Sequence, residues 1–130
     1  MIAIDTNILV RYFVDDSPSQ TLSVRHFFET SLTAESPGFI ASLVLVELIW
    51  VLEDVYDIDA MSVIKIVQKL LHTHHIVIEH EAAIERALHL PHKDLADSIL
   101  HEIGKAAGCS KTVTFDKKFA RLSGVELLDG

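Results

Sequence analysis

Short apolar runs alternate with longer helical stretches along the chain, and this alternation constrains the fold more than any other feature. Five of the short runs predict β-strands, at residues 2–4, 39–40, 76–78, 111–114 and 125–127. Turns that contain proline or glycine separate many of these elements. Because strands separated by helices pair in parallel through right-handed crossovers, we predict an α/β fold with helices covering a small sheet.

The helical stretches occupy residues 8–14, 18–31, 42–56, 59–71, 81–90, 94–107 and 116–122. Ser17 and Asp59 stand where helix N-caps are needed, and Gly108 stands where a glycine commonly ends a helix. The stretch that begins at Ser42 is apolar nearly all round, so periodicity does not separate helix from strand there. Its length, residues 42–56, is too great for one strand of a small domain and therefore favours a helix.

The length of 130 residues fits one domain, residues 1–130. The single cysteine, Cys109, leaves no internal disulfide, which suits a reducing compartment. The N-terminus lacks the basic region and long apolar stretch of a secretory signal. The most apolar run, Phe39 to Leu52, is too short to span a bilayer. We therefore expect a cytoplasmic protein without membrane contact.

A formal net charge of −8 argues against a protein that coats nucleic acid generally, because such proteins are usually basic. The objection is weaker where acidic residues gather around divalent cations, since a bound metal reverses the local field. A basic partner protein would have a similar effect. The charge therefore leaves open a metal-dependent site for an anionic substrate.

Four acidic residues fall near strand ends or in the first turns of helices: Asp5, Glu47, Asp97 and Asp116. In α/β folds the carboxyl ends of parallel strands meet at one edge, where ligands usually bind. Asp5 and Asp116 could also be helix caps, while Asp97 and its neighbour Asp94 suit the positive end of a helix dipole. Glu47 stands in the apolar run VLVELIWV, where a buried carboxylate needs a partner or a metal, and it is the sharpest candidate.

Several carboxylates at one sheet edge would raise one another's pKa unless a cation neutralised them. A ligand set of oxygen atoms without His or Cys suits Mg²⁺ or Mn²⁺ better than Zn²⁺. Such ions activate water and stabilise the charge that develops on a phosphodiester during in-line attack. The histidines at residues 72–75 match no common zinc spacing and are expected to end a helix. The acids therefore predict a metal-dependent phosphodiesterase site with one or two ions.

The order and spacing of four short motifs resemble the PIN-domain family, and within it the VapC-type toxins of prokaryotic toxin–antitoxin pairs. The motifs are Asp5-Thr6-Asn7, Ser42 to Leu48, Asp94 to Leu100, and Thr114-Phe115-Asp116. The chain departs from the family pattern at Phe115, where members often have a basic or small residue. The resemblance implies that the metal-binding and catalytic residues are Asp5, Glu47, Asp97 and Asp116. It implies that these acids are supported by Asn7, Ser42, Asp94 and Thr114.

The same resemblance implies a PIN-like three-layer α/β/α fold and magnesium-dependent endonucleolytic cleavage of RNA, with Mn²⁺ as a substitute ion. It also implies a small antitoxin protein that inserts a segment into the active site, and commonly a homodimer. Arg11 and Lys117, which lie near the first and fourth motifs, are candidates to contact the substrate or the antitoxin.

Two other interpretations stay open on the sequence alone. A receiver-like phosphoacceptor domain also places acids around Mg²⁺, but it needs two adjacent acids after the first strand, and Asp5-Thr6 lacks that pair. A non-catalytic PIN-like scaffold that binds RNA or protein usually lacks one or more of the acids, whereas all four stand in this sequence. Metal-dependent cleavage separates these alternatives.

Overall fold

Every strand pair in the computed structural model, which describes residues 1–129, is parallel. The chain divides into two units, residues 1–79 and the part that begins at His80. The first unit contains β1 (Ile2–Ala3), α1 (Thr6–Phe13), α2 (Pro18–Thr30), β2 (Gly38–Ile40), α3 (Ser42–Trp50), α4 (Ala60–Leu71) and β3 (Ile76–Ile78). The second contains α5 (Glu81–Ala87), α6 (Leu95–Ala106), β4 (Thr112–Thr114) and β5 (Val125–Leu127). The predicted α/β class and parallel pairing are confirmed.

The first unit is built on a three-stranded sheet in the order β1-β2-β3. Its register pairs Gly38 with Ile2 on one side and with Ile76 on the other. Asp5 follows β1 after one intervening residue, and Glu79 directly follows β3. Because the strands run in parallel, both acids stand at the carboxyl edge of this sheet, where α/β folds usually place their ligands.

The core of the first unit is formed by leucine, isoleucine and valine side chains of its helices and strands. The side chains that are essentially inaccessible to solvent are Leu9, Ile40, Leu45, Leu48, Leu52, Val63, Val67 and Leu70. The predicted helix at 42–56 is confirmed in extent, but its last part, Val51–Val55, is π-helical. Asp59 caps α4 as predicted, since its Oδ1 accepts a hydrogen bond of 2.7 Å from the Ser62 amide. Ser17 stands at the predicted N-cap position of α2, but within residues 1–129 its side chain makes no capping bond to that helix.

The second unit packs α5 against α6 and carries the two-stranded sheet β4-β5. Phe119, Leu122 and Val125 form its buried cluster, against which Leu90 packs. Helix α6 ends before Gly108, which has a φ of 94° and so adopts the left-handed conformation that glycine tolerates. Glycine at this helix end matches the prediction.

Two predicted helices in the second unit are longer than the observed ones. The stretch predicted at 81–90 ends as a helix at Ala87 and continues as turns up to Pro91. The stretch predicted at 116–122 contains only a short 3-10 turn, Phe119–Arg121, and the backbone is extended again at Leu122. The Asp116 side chain accepts hydrogen bonds from the amides of Lys118 and Phe119, where this turn begins. Among the helices of residues 1–129, none is both long and apolar enough to cross a membrane.

Candidate functional site

A cavity of about 470 Å³ in the second unit collects most of that unit's predicted site residues. It lies at the beginning of α6 and beside the turn that follows β4. Its charged lining residues are Lys93, Asp94, Asp97, Asp116, Lys118 and Arg121, and the others are Pro91 and His92. Carboxylates and cations therefore share one surface, an arrangement that suits an anionic ligand held partly through a metal ion.

Asp97 is the most enclosed of these acids, with 28% of its side chain exposed. It lies in the first turn of α6, and its Oδ2 accepts a hydrogen bond of 3.1 Å from His92 Nε2. Burial is the largest influence on the pKa of Asp97 and raises it, as do the charges of Asp94 and Asp116, whereas the hydrogen bond from His92 opposes the rise. A cation at this carboxylate would relieve that repulsion, because it favours the ionised form.

Asp94 is the N-cap residue of α6. Its Oδ1 accepts a hydrogen bond of 3.0 Å from the Asp97 amide, so its carboxylate closes the first turn of α6. The cap holds the backbone of Asp97 at the start of the helix. Asp94 thus positions Asp97 in addition to contributing negative charge to the cavity.

Asp116 also organises its own turn. Its Oδ1 accepts hydrogen bonds from the amides of Lys118 and Phe119 at 2.8 and 3.1 Å. These bonds, that from Phe119 first, hold the pKa of Asp116 below its usual value. Its own amide donates to Thr114 Oγ1 over 3.0 Å, so Thr114 fixes the turn that carries the acid. The expectation that Asp116 accepts bonds from backbone amides is confirmed, and the residue also lines the cavity.

Sequence reasoning missed His92, which lines the cavity next to Asp97. Its side chain is 9% exposed and its ring stacks on Phe119, with centroids 5.3 Å apart and planes inclined by 13°. The stacked ring aims Nε2 at Asp97. The five-residue separation of His92 from Asp97 follows no motif, so only the packing on Phe119 identifies it. Lys118 and Arg121, which also line the cavity, were not predicted for a different reason, namely that isolated surface cations are usually only solvated.

Asp5 occupies the N-cap position of α1 in the first unit and is exposed. Within residues 1–129 its side chain makes no capping hydrogen bond to the helix, so the capping interpretation is wrong for this acid. Asn7 lies in the first turn of the same helix and is also exposed. Both side chains are therefore accessible to a ligand at the carboxyl edge of the first sheet.

Glu47 is exposed, and the expectation that it is buried in an apolar run is wrong. It shares a helical face with Leu43, four positions before it, and with Trp50, three positions after it. Leu43 is 79% exposed and Trp50 is 59% exposed. The opposite face of α3 carries the core leucines. An exposed carboxylate needs no partner for stability, so burial no longer argues for a functional Glu47, and its accessibility and motif position remain in its favour.

Ser42 connects the beginning of α3 to the end of β3. Its amide donates to Glu79 Oε1 over 2.9 Å, and its hydroxyl donates to the Glu79 carbonyl oxygen over 3.2 Å. The carboxylate of Glu79 therefore satisfies an amide at the first turn of α3. Glu79 was not among the predicted acids, and its position directly after a strand is the signal that could have found it.

The two predicted contact residues differ in their surroundings. Arg11 is held inside its own unit, because its guanidinium donates to Gln20 Oε1 at 2.7 Å, to Asp16 Oδ1 at 2.9 Å and to the Tyr56 hydroxyl at 3.3 Å. A ligand at Arg11 must compete with these three acceptors. Lys117 is exposed beside the turn of Asp116.

The residues of the cavity fit a divalent cation by their chemistry. Carboxylate oxygens are the ligands that Mg²⁺ and Mn²⁺ prefer. Burial first, and then the charges of Asp94 and Asp116, raise the pKa of Asp97, and a cation would favour its ionised form. Within neither unit do three or more His, Cys, Asp or Glu side chains of residues 1–129 come close enough to hold a metal ion by themselves.

Comparison with protein families gives a match to the PIN domain over residues 2–125. The chain belongs to the PIN domain family. The PIN domain is generally a nuclease fold, and PIN nucleases generally use divalent metals. A search of curated proteins found no match to this PIN domain.

Proposed function

We propose that this PIN domain, a single nuclease domain of residues 1–130, is a magnesium-dependent endoribonuclease and the toxin of a VapBC-type toxin–antitoxin pair. The observation that carries the nuclease proposal is the shared cavity of Asp97 and Asp116 with Lys118 and Arg121. Acids that suit a metal ion stand there beside cations that suit a phosphodiester. Membership of the PIN family supports the same activity.

The residues proposed to hold Mg²⁺, or Mn²⁺ in its place, are Asp5, Glu47, Asp97 and Asp116. Asp5 and Glu47 are supported by their exposed carboxylates, and Asp97 by its raised pKa. When bound, the ion supplies activation of water and stabilisation of charge on the phosphodiester. The expected products carry a 5′-phosphate and a 3′-hydroxyl, and 2′,3′-cyclic phosphate ends would contradict this chemistry.

The chain's own cations and hydrogen bonds would serve binding and orientation. Lys118 and Arg121 are exposed at the cavity and can pair with phosphate oxygens of the substrate. His92 holds one oxygen of Asp97 and so fixes the direction of the other. Asp94 fixes the backbone of the same residue. Each of these contacts reduces the freedom of Asp97 before the substrate arrives, which is how a prepared site gains rate.

The proposed partners are RNA, a cognate antitoxin and a second copy of the chain, in the cytoplasm. Exposed Leu43 and Trp50 on α3 support a protein partner, because large apolar side chains that lie together on one helix face are typical of interfaces. Arg11 and Lys117 are proposed to contact substrate or antitoxin. For Arg11 this requires exchange of its present acceptors, and unchanged affinities of Arg11→Ala for both partners would remove it.

The test is incubation of the purified, antitoxin-free protein with structured and single-stranded RNA in Mg²⁺, Mn²⁺ or EDTA, beside Asp5→Asn. We expect cleavage that needs the metal and disappears in the variant, because Asp5 is proposed as a metal ligand. Asp5 is exposed and makes no capping bond within residues 1–129, so its replacement should not disturb the fold. The variant should melt at the wild-type temperature for the same reason. A folded wild-type protein that binds these RNAs without cleaving them in either metal would instead support the non-catalytic scaffold.

A further inference from the structure

A second cavity, of about 620 Å³, lies in the first unit and combines aromatic rings with positive charge. Its lining includes Tyr12 of α1, Arg25 and Phe28 of α2, and Lys69, at the end of α4, together with the histidines at 72, 74 and 75. We call it the basic aromatic cavity. None of the acids assigned above to the metal lines it.

The rings of this cavity are already arranged for stacking. Tyr12 and Phe28 stack with centroids 4.4 Å apart and planes inclined by 21°, and both rings are half-buried. Lys69 Nζ lies 5.8 Å from the centre of the Tyr12 ring, within the range of a cation–π contact. A flat, electron-rich surface beside a cation is the kind of platform on which nucleic-acid bases stack.

The charges around the rings differ from those of the whole chain. Arg25, Lys69 and the three histidines are exposed at the cavity, and Glu29 is the carboxylate that lines it. With neutral histidines these residues carry a local charge of +1, from two cations and one acid, on a chain of formal net charge −8. A polyanion that the protein otherwise repels can therefore approach here.

The basic aromatic cavity stands at the other edge of the first sheet from Asp5. Residues 72–75 lead into the amino end of β3, and Lys69 lies in the last turn of α4, which precedes them. Tyr12 lies in the last turn of α1, and because a helix rises about 1.5 Å per residue, this is roughly 10 Å along the axis from its first residues. The cavity is thus separate from the carboxyl edge where the acids of this unit stand.

We propose that the basic aromatic cavity binds a single-stranded segment of RNA outside the cleavage site. Phe28 covers one face of the Tyr12 ring, and a base stacks on the other face when Lys69 turns from the ring to a neighbouring phosphate. Arg25 pairs with a second phosphate. The choice of RNA as the polyanion rests on the proposed ribonuclease function. An RNA substrate would then bind both in the basic aromatic cavity and at the acids. The protein would therefore favour RNAs whose single-stranded stretch is long enough to reach both.

The test is the affinity of a fluorescently labelled single-stranded RNA of eight nucleotides, measured by anisotropy in EDTA so that metal-dependent cleavage does not contribute. Arg25→Ala and Lys69→Ala should each weaken binding by about tenfold and reduce the slope of log affinity against log salt by about 0.7 per lost phosphate contact. Lys65→Ala is the matched control, since Lys65 is an exposed lysine one turn earlier on α4 and does not line the cavity. It should bind RNA as the wild type does.

Stacking is tested on the wild-type protein with an abasic oligonucleotide of the same length, which avoids a substitution in the ring cluster. We expect it to bind at least about fivefold more weakly, because the base supplies the contact with Tyr12. Equal affinity of the two oligonucleotides would overturn the proposal, as would wild-type affinity in both Arg25→Ala and Lys69→Ala. An acidic peptide of equal charge that binds as tightly as RNA would also overturn it, and would indicate a protein partner.

The two proposals fail in different ways. If RNA binds in EDTA in an Arg25-dependent manner and no cleavage occurs in Mg²⁺, the cavity stands and the nuclease proposal falls. If RNA is cleaved in Mg²⁺ and both Arg25→Ala and Lys69→Ala bind and cleave like the wild type, the nuclease proposal stands and the cavity falls.

Discussion

Replacement of the buried Glu102 by glutamine tests how α6, the helix that carries Asp97, is held against α5. The Glu102 side chain is 1% exposed and accepts hydrogen bonds from Arg86 Nε at 3.0 Å and from Lys105 Nζ at 3.2 Å. The amide keeps the shape of the side chain but loses its charge. Both ion pairs are therefore weakened without a cavity being made.

The magnitude follows from the exposure of the partners. A hydrogen bond to a charged group contributes about 1.5–3 kcal/mol when it is well enclosed. Arg86 and Lys105 are 51% and 55% exposed, so water competes for both cations and the two bonds together stabilise the fold by less than their sum. We expect Glu102→Gln to lower the free energy of unfolding by about 2 kcal/mol, which in a chain of 130 residues shifts the melting temperature by roughly 6–8 °C.

The loss should also depend on pH. Burial raises the pKa of Glu102, but the hydrogen bonds and charges of Arg86 and Lys105 outweigh it and leave the pKa below its usual value. A carboxylate with a lowered pKa stabilises the fold fully above its unfolded pKa, and this stabilisation is lost as the pH falls through the folded pKa. The difference between wild type and Glu102→Gln should therefore be complete at pH 7 and shrink below about pH 4.

The assay is urea and thermal denaturation at pH 7 and at pH 3.5, followed by circular dichroism. Glu85→Gln is the matched control, because Glu85 is an exposed carboxylate on α5 and should leave the midpoint unchanged. Equal midpoints for wild type and Glu102→Gln at pH 7, or a difference that grows on acidification, would refute the reasoning.

Three further changes test other contacts. Gly38→Ala should destabilise the first unit by about 1–3 kcal/mol in urea, because the new Cβ would lie 2.5 and 2.9 Å from two isoleucine side chains. Thr112→Val should cost about 1–2 kcal/mol in thermal denaturation, since it removes the hydroxyl that lies 2.7 Å from Nδ1 of the buried His101; unchanged stability would mean that this contact contributes nothing. Asp94→Asn should slow RNA cleavage less than Asp97→Asn does, because its Oδ1 is a capping atom, and equal loss would reverse the ranking of the two acids.

The elements of this fold were predictable where local chemistry determines them. Gly108 ends α6 and Asp59 caps α4 because a left-handed backbone and an open helix turn each select a few residue types. The register of the strands could not be predicted, since it depends on pairs such as Gly38 with Ile76 that are far apart in the sequence. The helix predicted at 116–122 is shorter in the structure because the backbone is extended again at Leu122, whose side chain joins Phe119 and Val125 in a buried cluster that no local pattern records.

Burial was a poor guide to the exposure of the predicted site residues. The apolar neighbours of Glu47 suggested a buried acid, but in a helix those neighbours point to several faces, and the face of Glu47 is exposed. His92 was missed because its importance comes from a ring stacked on Phe119, a contact across 27 positions of sequence that no local pattern records. Glu79 was missed although it directly follows β3, because its partner Ser42 lies on a different strand–helix connection.

The most direct test of the nuclease proposal is the rate of RNA cleavage under single-turnover conditions as Mg²⁺ is titrated, for wild type, Asp97→Asn and the control Glu85→Gln. We predict cleavage that rises with Mg²⁺, stops on addition of EDTA, and is at least about a hundredfold slower in Asp97→Asn but unchanged in the control. Cleavage that continues in EDTA, or that proceeds at the wild-type rate in a folded Asp97→Asn, would contradict a metal-dependent site at these carboxylates.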